Sequence, residues 1–242
     1  MANELKDKVA LVTGGSRGIG YAVAEALLEE GARVFICGRD ASMVKSAVGR
    51  LGAGRADRVD GAAADVRRYE DCRKAVARAA ERFSGLDILV NNAGIGIFKP
   101  IDQIAPEEWA ATIETNLSAV FYCSREAIPL MRSRGAGYIF NVSSLAAVNT
   151  FPGGSAYNAS KFGLNGLTEA MMQDIRYDGI RVSTIMPGSV ATDFGGDPGS
   201  NRHEAWKLSA EDIARAVVDL YKFPRGSLAS RIELRPSQPP RK

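Results

Sequence analysis

Three observations predict an α/β fold with one doubly wound parallel sheet of about seven strands and helices on both faces. Short apolar runs alternate with stretches of helical periodicity along the chain. The runs are apolar throughout, as strands buried on both faces require. A glycine-rich turn, residues 13–20 (TGGSRGIG), joins the first run to the first helical stretch.

Taken in order, Val9 to Val12 is the first strand, and Ile19, Val23, Ala26 and Leu27 recur at helical spacing until Gly31 supplies the stop. Further strand-like runs fall at 34–37, 62–64, 88–90, 138–142, 182–186 and 231–234. Helical patterns lie near 41–51, 69–83, 106–133, 156–177 and 210–221, with Pro129 predicting a kink in the longest. Residues 52–61 and 195–200 read as loops, the second beyond a strand end, where open parallel sheets place a ligand crevice. With no linker and no fixed repeat, residues 1–242 read as one domain ending in a basic tail, 231–242.

Composition narrows the function classes. A 45% hydrophobic share supplies a full core, which excludes disorder. Cys37, Cys72 and Cys123 are odd in number and widely spaced, and His203 is the sole histidine, so neither a disulfide framework nor a metal site is expected. No apolar run reaches the roughly 18–20 residues of a membrane span, and the N-terminus lacks a signal-like run. The expectation is a cytoplasmic protein without a membrane partner. Arg231, Arg235, Arg241 and Lys242 against Glu233 account for the whole net charge of +3, which places the excess in a solvated terminus and argues against a nucleic-acid partner.

Gly14, Gly18 and Gly20 give the turn a GxxxGxG spacing, which lets a pyrophosphate approach the N–H groups that open the next helix. The second strand ends in Gly38 and Arg39 where an acidic residue would select NAD(H). Arg39, with Arg17 from the turn, suits the 2′-phosphate of NADP(H), which is therefore favoured. Asp40 is placed to pair with Arg39 and blunt that preference, so NAD(H) stays open. Tyr157 and Lys161, four apart, share a helix face, and Ser144 lies at the end of the fifth strand, facing the same crevice.

These pieces resemble the short-chain dehydrogenase/reductase family in its short, single-domain form, a Rossmann-type fold. TGGSRGIG, Asp65-Val66, NNAG (91–94), Asn116, Ser144, YNASK (157–161) and PGSVAT (187–192) occur in the family's order. The resemblance implies hydride transfer between a nicotinamide and a small-molecule carbonyl or secondary alcohol, as in 3-oxoacyl-[acyl-carrier-protein] reductase-like members. Tyr157 would be the general acid/base, its pKa lowered by the Lys161 ammonium, which also meets the nicotinamide ribose. Ser144 would bind the substrate oxygen, and Asn116 would help hold a water in a proton relay.

Gly14, Ser16, Arg17, Gly18, Ile19, Gly20 and Arg39 would hold the phosphates. Asp65 and Val66 would lie by the adenine, unless they form only a strand-end turn. Asn91, Asn92, Ala93 and Gly94 would line the cofactor, with the two asparagines also satisfying backbone groups. Pro187, Gly188, Val190 and Thr192 would touch the carboxamide. Phe98, Phe194 and Trp206 are expected as apolar walls. An NAD-dependent alcohol dehydrogenase, a non-catalytic NADP(H)-binding redox sensor, and the family's dehydratases and isomerases are the other readings. A homodimer or homotetramer is expected by analogy, supported by apolar faces on the helices at 106–133 and 156–177. The C-terminus lacks the glycine-rich ending often seen in tetrameric relatives.

Overall fold

Side chains leave a strand on alternate faces, and here both faces meet helices. The structure, a computed structural model, describes residues 4–195 and 204–240. β1 (Val9–Thr13), β2 (Arg33–Gly38), β3 (Val59–Ala63), β4 (Ile88–Asn91), β5 (Gly137–Val142), β6 (Ile180–Pro187) and β7 (Arg231–Leu234) form one parallel sheet in the order 3-2-1-4-5-6-7. Leu11 sits level with Phe35 of β2 and Leu89 of β4. The order reverses between β1 and β4, so the connections leaving those two strands diverge and open a crevice at their C-terminal ends.

The helices are α1 (Gly18–Glu29), α2 (Ala41–Leu51), α3 (Tyr69–Phe83), α4 (Pro106–Ile113), α5 (Ala119–Ser133), α6 (Ser155–Ile175) and α7 (Ala210–Tyr221). Ala10, Val12, Val34 and Ile36 pack with Val23 and Leu27 of α1, Val44 of α2 and Val217 of α7. The alternate residues Val9, Leu11 and Phe35 pack with Val76 of α3, Cys123 of α5 and Ile175 of α6. Continuous apolar strands thus feed two cores, one on each side of the sheet. All three cysteines are free and buried. Among the described residues no helix is long and apolar enough to cross a membrane.

Two expectations need correction. β3 begins at Val59, preceded by a 3₁₀ turn at Ala56–Arg58, so the glycine-rich stretch 52–61 is only partly loop. Asp60 and Gly61 interrupt the apolar pattern there because β3 is the sheet's edge. The helical pattern 106–133 is broken by a π-helical turn, Glu114–Ser118, while α5 continues through Pro129 to Ser133. The described basic residues of the tail, Arg231 and Arg235, are exposed, and the strand expected at 231–234 is present. The tail's first residues form β7, paired with β6, and Arg235, Pro236 and Pro239 line the central cleft. Part of the loop 195–200, together with His203, Arg241 and Lys242, lies outside the described residues.

Candidate active site

Six strand-to-helix connections converge on a cleft of about 1530 Å³. Its floor is stitched by the end of β1. Thr13 Oγ1 accepts from the backbone N–H groups of Asn92 and Ala93, both at 3.0 Å, and Asn92 Nδ2 donates to the carbonyls of Thr13 (2.9 Å) and Gly14 (3.3 Å). This close approach dictates glycine. Gly14 has φ +65°, and a Cβ at Gly20 would collide with Asn92 Nδ2 and the Gly14 carbonyl. The turn leaves the N-terminus of α1 without a side-chain cap or an acidic residue in its first turn, so its N–H groups and dipole face the cleft uncompensated. A helix N-terminus in this state suits an anion.

Gly14, Ser16, Arg17, Gly18, Ile19, Arg39, Asp65, Val66, Asn92, Ala93 and Gly94 all line this half of the cleft. Gly20 lies behind it, as the contact with Asn92 requires. Arg17 and Arg39 are exposed and enter no ion pair among the described residues. Asp40 does not pair with Arg39. Its carboxylate caps α2, accepting from the Ser42 hydroxyl (2.6 Å) and from the N–H groups of Met43 (3.0 Å) and Ser42 (2.8 Å), and these bonds, the hydroxyl's first, hold its pKa below the usual carboxylate range. Asp65 is engaged by Arg67, whose Nε lies 3.0 Å from both carboxylate oxygens, and its pKa is lowered accordingly. The strand-end turn and the place beside the cleft therefore coexist. Asn91, by contrast, does not line the cleft. It is buried, donating to Asn141 Oδ1 (2.9 Å) and Ser124 Oγ (3.2 Å), because the last residue of β4 points into the layer under α5 and α6.

At the other half α6 presents Tyr157 and Lys161, with Ser144 opposite from the end of β5. Ser144 accepts from Ala146 N–H (3.1 Å), and its hydroxyl is the group that acts on the Tyr157 phenol. Its neighbour Ser143 turns its hydroxyl to Asn165 Oδ1 (2.8 Å). Lys161 is buried, with Nζ donating to the Val142 carbonyl (3.0 Å) and 5.8 Å from the centre of the tyrosine ring. Burial pulls its pKa down to about 8.

Burial likewise raises the Tyr157 pKa, and the Ser144 hydroxyl only partly opposes it. The expectation that the ammonium lowers the tyrosine pKa is thus corrected: desolvation by burial raises it, and the opposing effect comes from Ser144. One acceptor serves an ammonium with three donors, leaving Lys161 able to bind hydroxyls.

Asn116 sits in the π-helical turn. Its amide accepts from Ile95 N–H (2.8 Å) and donates to the Ile95 carbonyl (2.9 Å) and to Ser160 Oγ (3.0 Å). It therefore pins the connection after β4 against α6 and makes no hydrogen bond to Lys161. Gly94 lies between the two; a Cβ there would be 3.3 Å from Asn116 Oδ1 and 3.9 Å from Lys161 Nζ. Pro187, Gly188, Val190 and Thr192, after β6, line the wall. So do Phe98, Phe194 and Trp206, together with Phe151 and Asn149, which sequence reasoning missed. The only available signal for Phe151 was an aromatic residue beside Pro152 in the stretch preceding Tyr157.

The fold and the crevice define a nicotinamide-type oxidoreductase architecture, and comparison identifies the family. The chain belongs to the short chain dehydrogenase family, whose model matches residues 8–202. It is similar to a 3alpha-hydroxysteroid dehydrogenase of Mediterraneibacter gnavus, 38% identical over 191 residues, 78% of this chain and 76% of that one. Among solved structures it resembles an alcohol dehydrogenase from the archaeon Thermococcus sibiricus complexed with 5-hydroxy-NADP (29% identity, TM-score 0.88, covering 97% and 99% of the two chains). It also resembles a 3-ketoacyl-(acyl-carrier-protein) reductase from Brucella melitensis complexed with NADH (28% identity, TM-score 0.88, covering 97% and 99%).

Proposed function

We propose that this protein is an NADP(H)-dependent carbonyl reductase, acting in reverse on secondary alcohols, with Tyr157 as general acid/base. The observation that carries the reading is the meeting of Ser144, Tyr157 and Lys161 in the same cleft as an uncapped helix N-terminus flanked by two exposed arginines, Arg17 and Arg39, which enter no ion pair among the described residues. The cleft fits a dinucleotide. Bare glycines admit a pyrophosphate, Arg17 and Arg39 suit a 2′-phosphate, and the spare donors of Lys161 suit ribose hydroxyls. Ala93 and Gly94, with Pro187, Gly188, Val190 and Thr192, would flank the ring end. When bound, the nicotinamide supplies or accepts the hydride.

The chain's own groups manage the charge and the proton. The Ser144 hydroxyl hydrogen-bonds the substrate oxygen and stabilises the negative charge that develops there. The Tyr157 phenol gives that oxygen its proton; in the oxidative direction it takes the proton back. A phenol with a raised pKa is a poor base but holds its proton at neutral pH, which suits the reductive direction. Lys161, still largely protonated at pH 7 with its pKa near 8, steadies the tyrosinate left after transfer. Asn116 is a positioning residue: it fixes Ile95 and Ser160, and Ser160 Oγ donates to the Tyr157 carbonyl (2.7 Å). Exposed Trp109, Phe121 and Phe162 on α4, α5 and α6 support self-association into a homo-oligomer.

A thermal-shift titration tests the coenzyme assignment. At ~100 times its dissociation constant, a ligand of the native state stabilises by about 2.7 kcal/mol. NADPH is expected to raise the melting temperature at lower concentration than NADH, and tighter NADH binding would refute the NADP(H) preference. NADPH oxidation across a panel of ketones and aldehydes then tests for the reaction. Tight coenzyme binding with no turnover of any carbonyl would favour the redox-sensor reading.

A further inference from the structure

Beside Tyr157 stand three phenylalanines from three different connections. Phe98 follows β4, Phe151 follows β5 and Phe194 follows β6. Phe98 meets the Tyr157 ring edge to face at 5.5 Å, Phe194 lies tilted at 5.6 Å from it, and Phe151 lies 5.6 Å from Phe98. Tyr157 is buried, yet the three phenylalanines are 40–43% exposed while lining the cleft. Apolar rings left open at a cleft mouth call for an apolar partner.

The arrangement is built into the backbone. A Cβ at Gly96 would come within 2.7 Å of Phe98 Cζ and 2.8 Å of Phe194 Cε1. A Cβ at Gly195 would meet Phe98 Cε2 at 2.6 Å, and one at Gly154 would meet Phe151 Cε2 at 2.7 Å. Each ring therefore rests on a residue without a side chain. The connections carrying Phe98 and Phe151 are also fastened: Lys99 N–H donates to the Gly153 carbonyl (2.9 Å), and Asn158, next to Tyr157, donates to the carbonyls of Ala146 (2.7 Å) and Asn149 (3.2 Å). Rings held in place before binding do not have to be ordered by the ligand.

We infer that Phe98, Phe151 and Phe194 form an aromatic collar that selects ketones, and the corresponding secondary alcohols, carrying an aryl ring next to the reacting carbon. Rings tilted at 54–80° to one another, 5.5–5.6 Å apart, continue naturally into a further edge-to-face contact. A flat, rigid ring makes that contact without losing the rotamer freedom that an alkyl chain must give up. The inference rests on the carbonyl reductase reading and names its substrate class.

The test compares kcat/KM for acetophenone and 2-octanone, ketones of equal carbon number, with NADPH as coenzyme. The wild type is expected to favour acetophenone by about tenfold or more. Phe98→Leu keeps the apolar bulk and loses the ring face; Gly96→Ala leaves every ring in place chemically but forces Phe98 and Phe194 to shift. Each is expected to lower the acetophenone to 2-octanone ratio by about threefold to tenfold while NADPH still raises the melting temperature. Dissociation constants of the two ketones, read by ligand-observed NMR on the wild type with NADP⁺, are expected to follow the same order. A wild-type ratio at or below unity, or a ratio unmoved in both variants, overturns the collar while leaving the reductase reading standing. Absence of NADPH oxidation with any carbonyl overturns both.

Discussion

At the β2 end of the cleft Arg17 and Arg39 stand in solvent with no ion-pair partner among the described residues, whereas at the β5 end Tyr157 and Lys161 are withdrawn from water. The first end recognises by charge in a high dielectric, where a phosphate contact is modest in energy and screened by salt. The second acts through groups whose ionisation burial has already altered, and small displacements there matter more. On the proposed function, chemistry is concentrated where water is excluded, and coenzyme choice is delegated to residues that can change without disturbing the core.

The largest expected effect lies at the buried end. Tyr157→Phe removes the only proton that the phenol contributes and should lower turnover by the ~10²–10⁴-fold typical of lost general acid/base catalysis, with NADPH binding largely kept. Steady-state kinetics beside a thermal-shift titration measures both; near-wild-type turnover would remove Tyr157 from the mechanism. At the exposed end, Arg39→Ala should weaken NADPH by about tenfold or more, as expected for a charge-assisted phosphate contact, and NADH much less. Added salt should narrow the wild-type difference between the two coenzymes. Equal weakening of both coenzymes would mean that Arg39 only supports the fold.

The contrast also explains what the sequence made legible. Strands buried on both faces and the glycine turn are written in residue type and order, so the alternation of elements and the crevice at the strand ends could be read directly. The π-helical turn carrying Asn116 could not, because its residues have ordinary helical periodicity, while the bonds that Asn116 makes from it, to Ile95 and Ser160, join residues distant in sequence. Asn91 was misplaced for a related reason. It adjoins residues that line the cleft, but strand alternation sends it inward to Asn141, whose amide continues to Thr168 Oγ1 (2.9 Å). Charge was legible only as a possibility of pairing: whether Asp40 takes Arg39 or the N-terminus of α2 depends on a competition that local geometry decides in favour of the helix. The direction of the Tyr157 shift was missed because desolvation is a property of everything packed around a group and has no local sequence signature.

The smallest effect sharpens the comparison from the side of stability. Burial lowers the Lys161 pKa from 10.5 to about 8. Between those values the unfolded chain holds the proton and the folded chain does not, so this group makes stability rise with pH through that window. Below pH 8 the folded chain carries the desolvated ammonium at a cost of about 3 kcal/mol. Lys161→Met removes that cost but leaves the Val142 carbonyl without its donor, offsetting about 1–3 kcal/mol. The net expectation at pH 7, without coenzyme, is a gain of about 1 kcal/mol, or about 2–4 °C in melting temperature for a chain of this size, together with loss of turnover. The gap between variant and wild type should close as pH rises above about 8 and reverse before 10.5, where the wild type no longer carries the desolvated ammonium. Arg39→Ala, in solvent, should move stability by no more than about 0.5 kcal/mol at any of these pH values. A Lys161→Met protein that melts below the wild type at pH 7 would show that the buried ammonium is held favourably, and the division between a costly interior and a neutral rim would have to be redrawn.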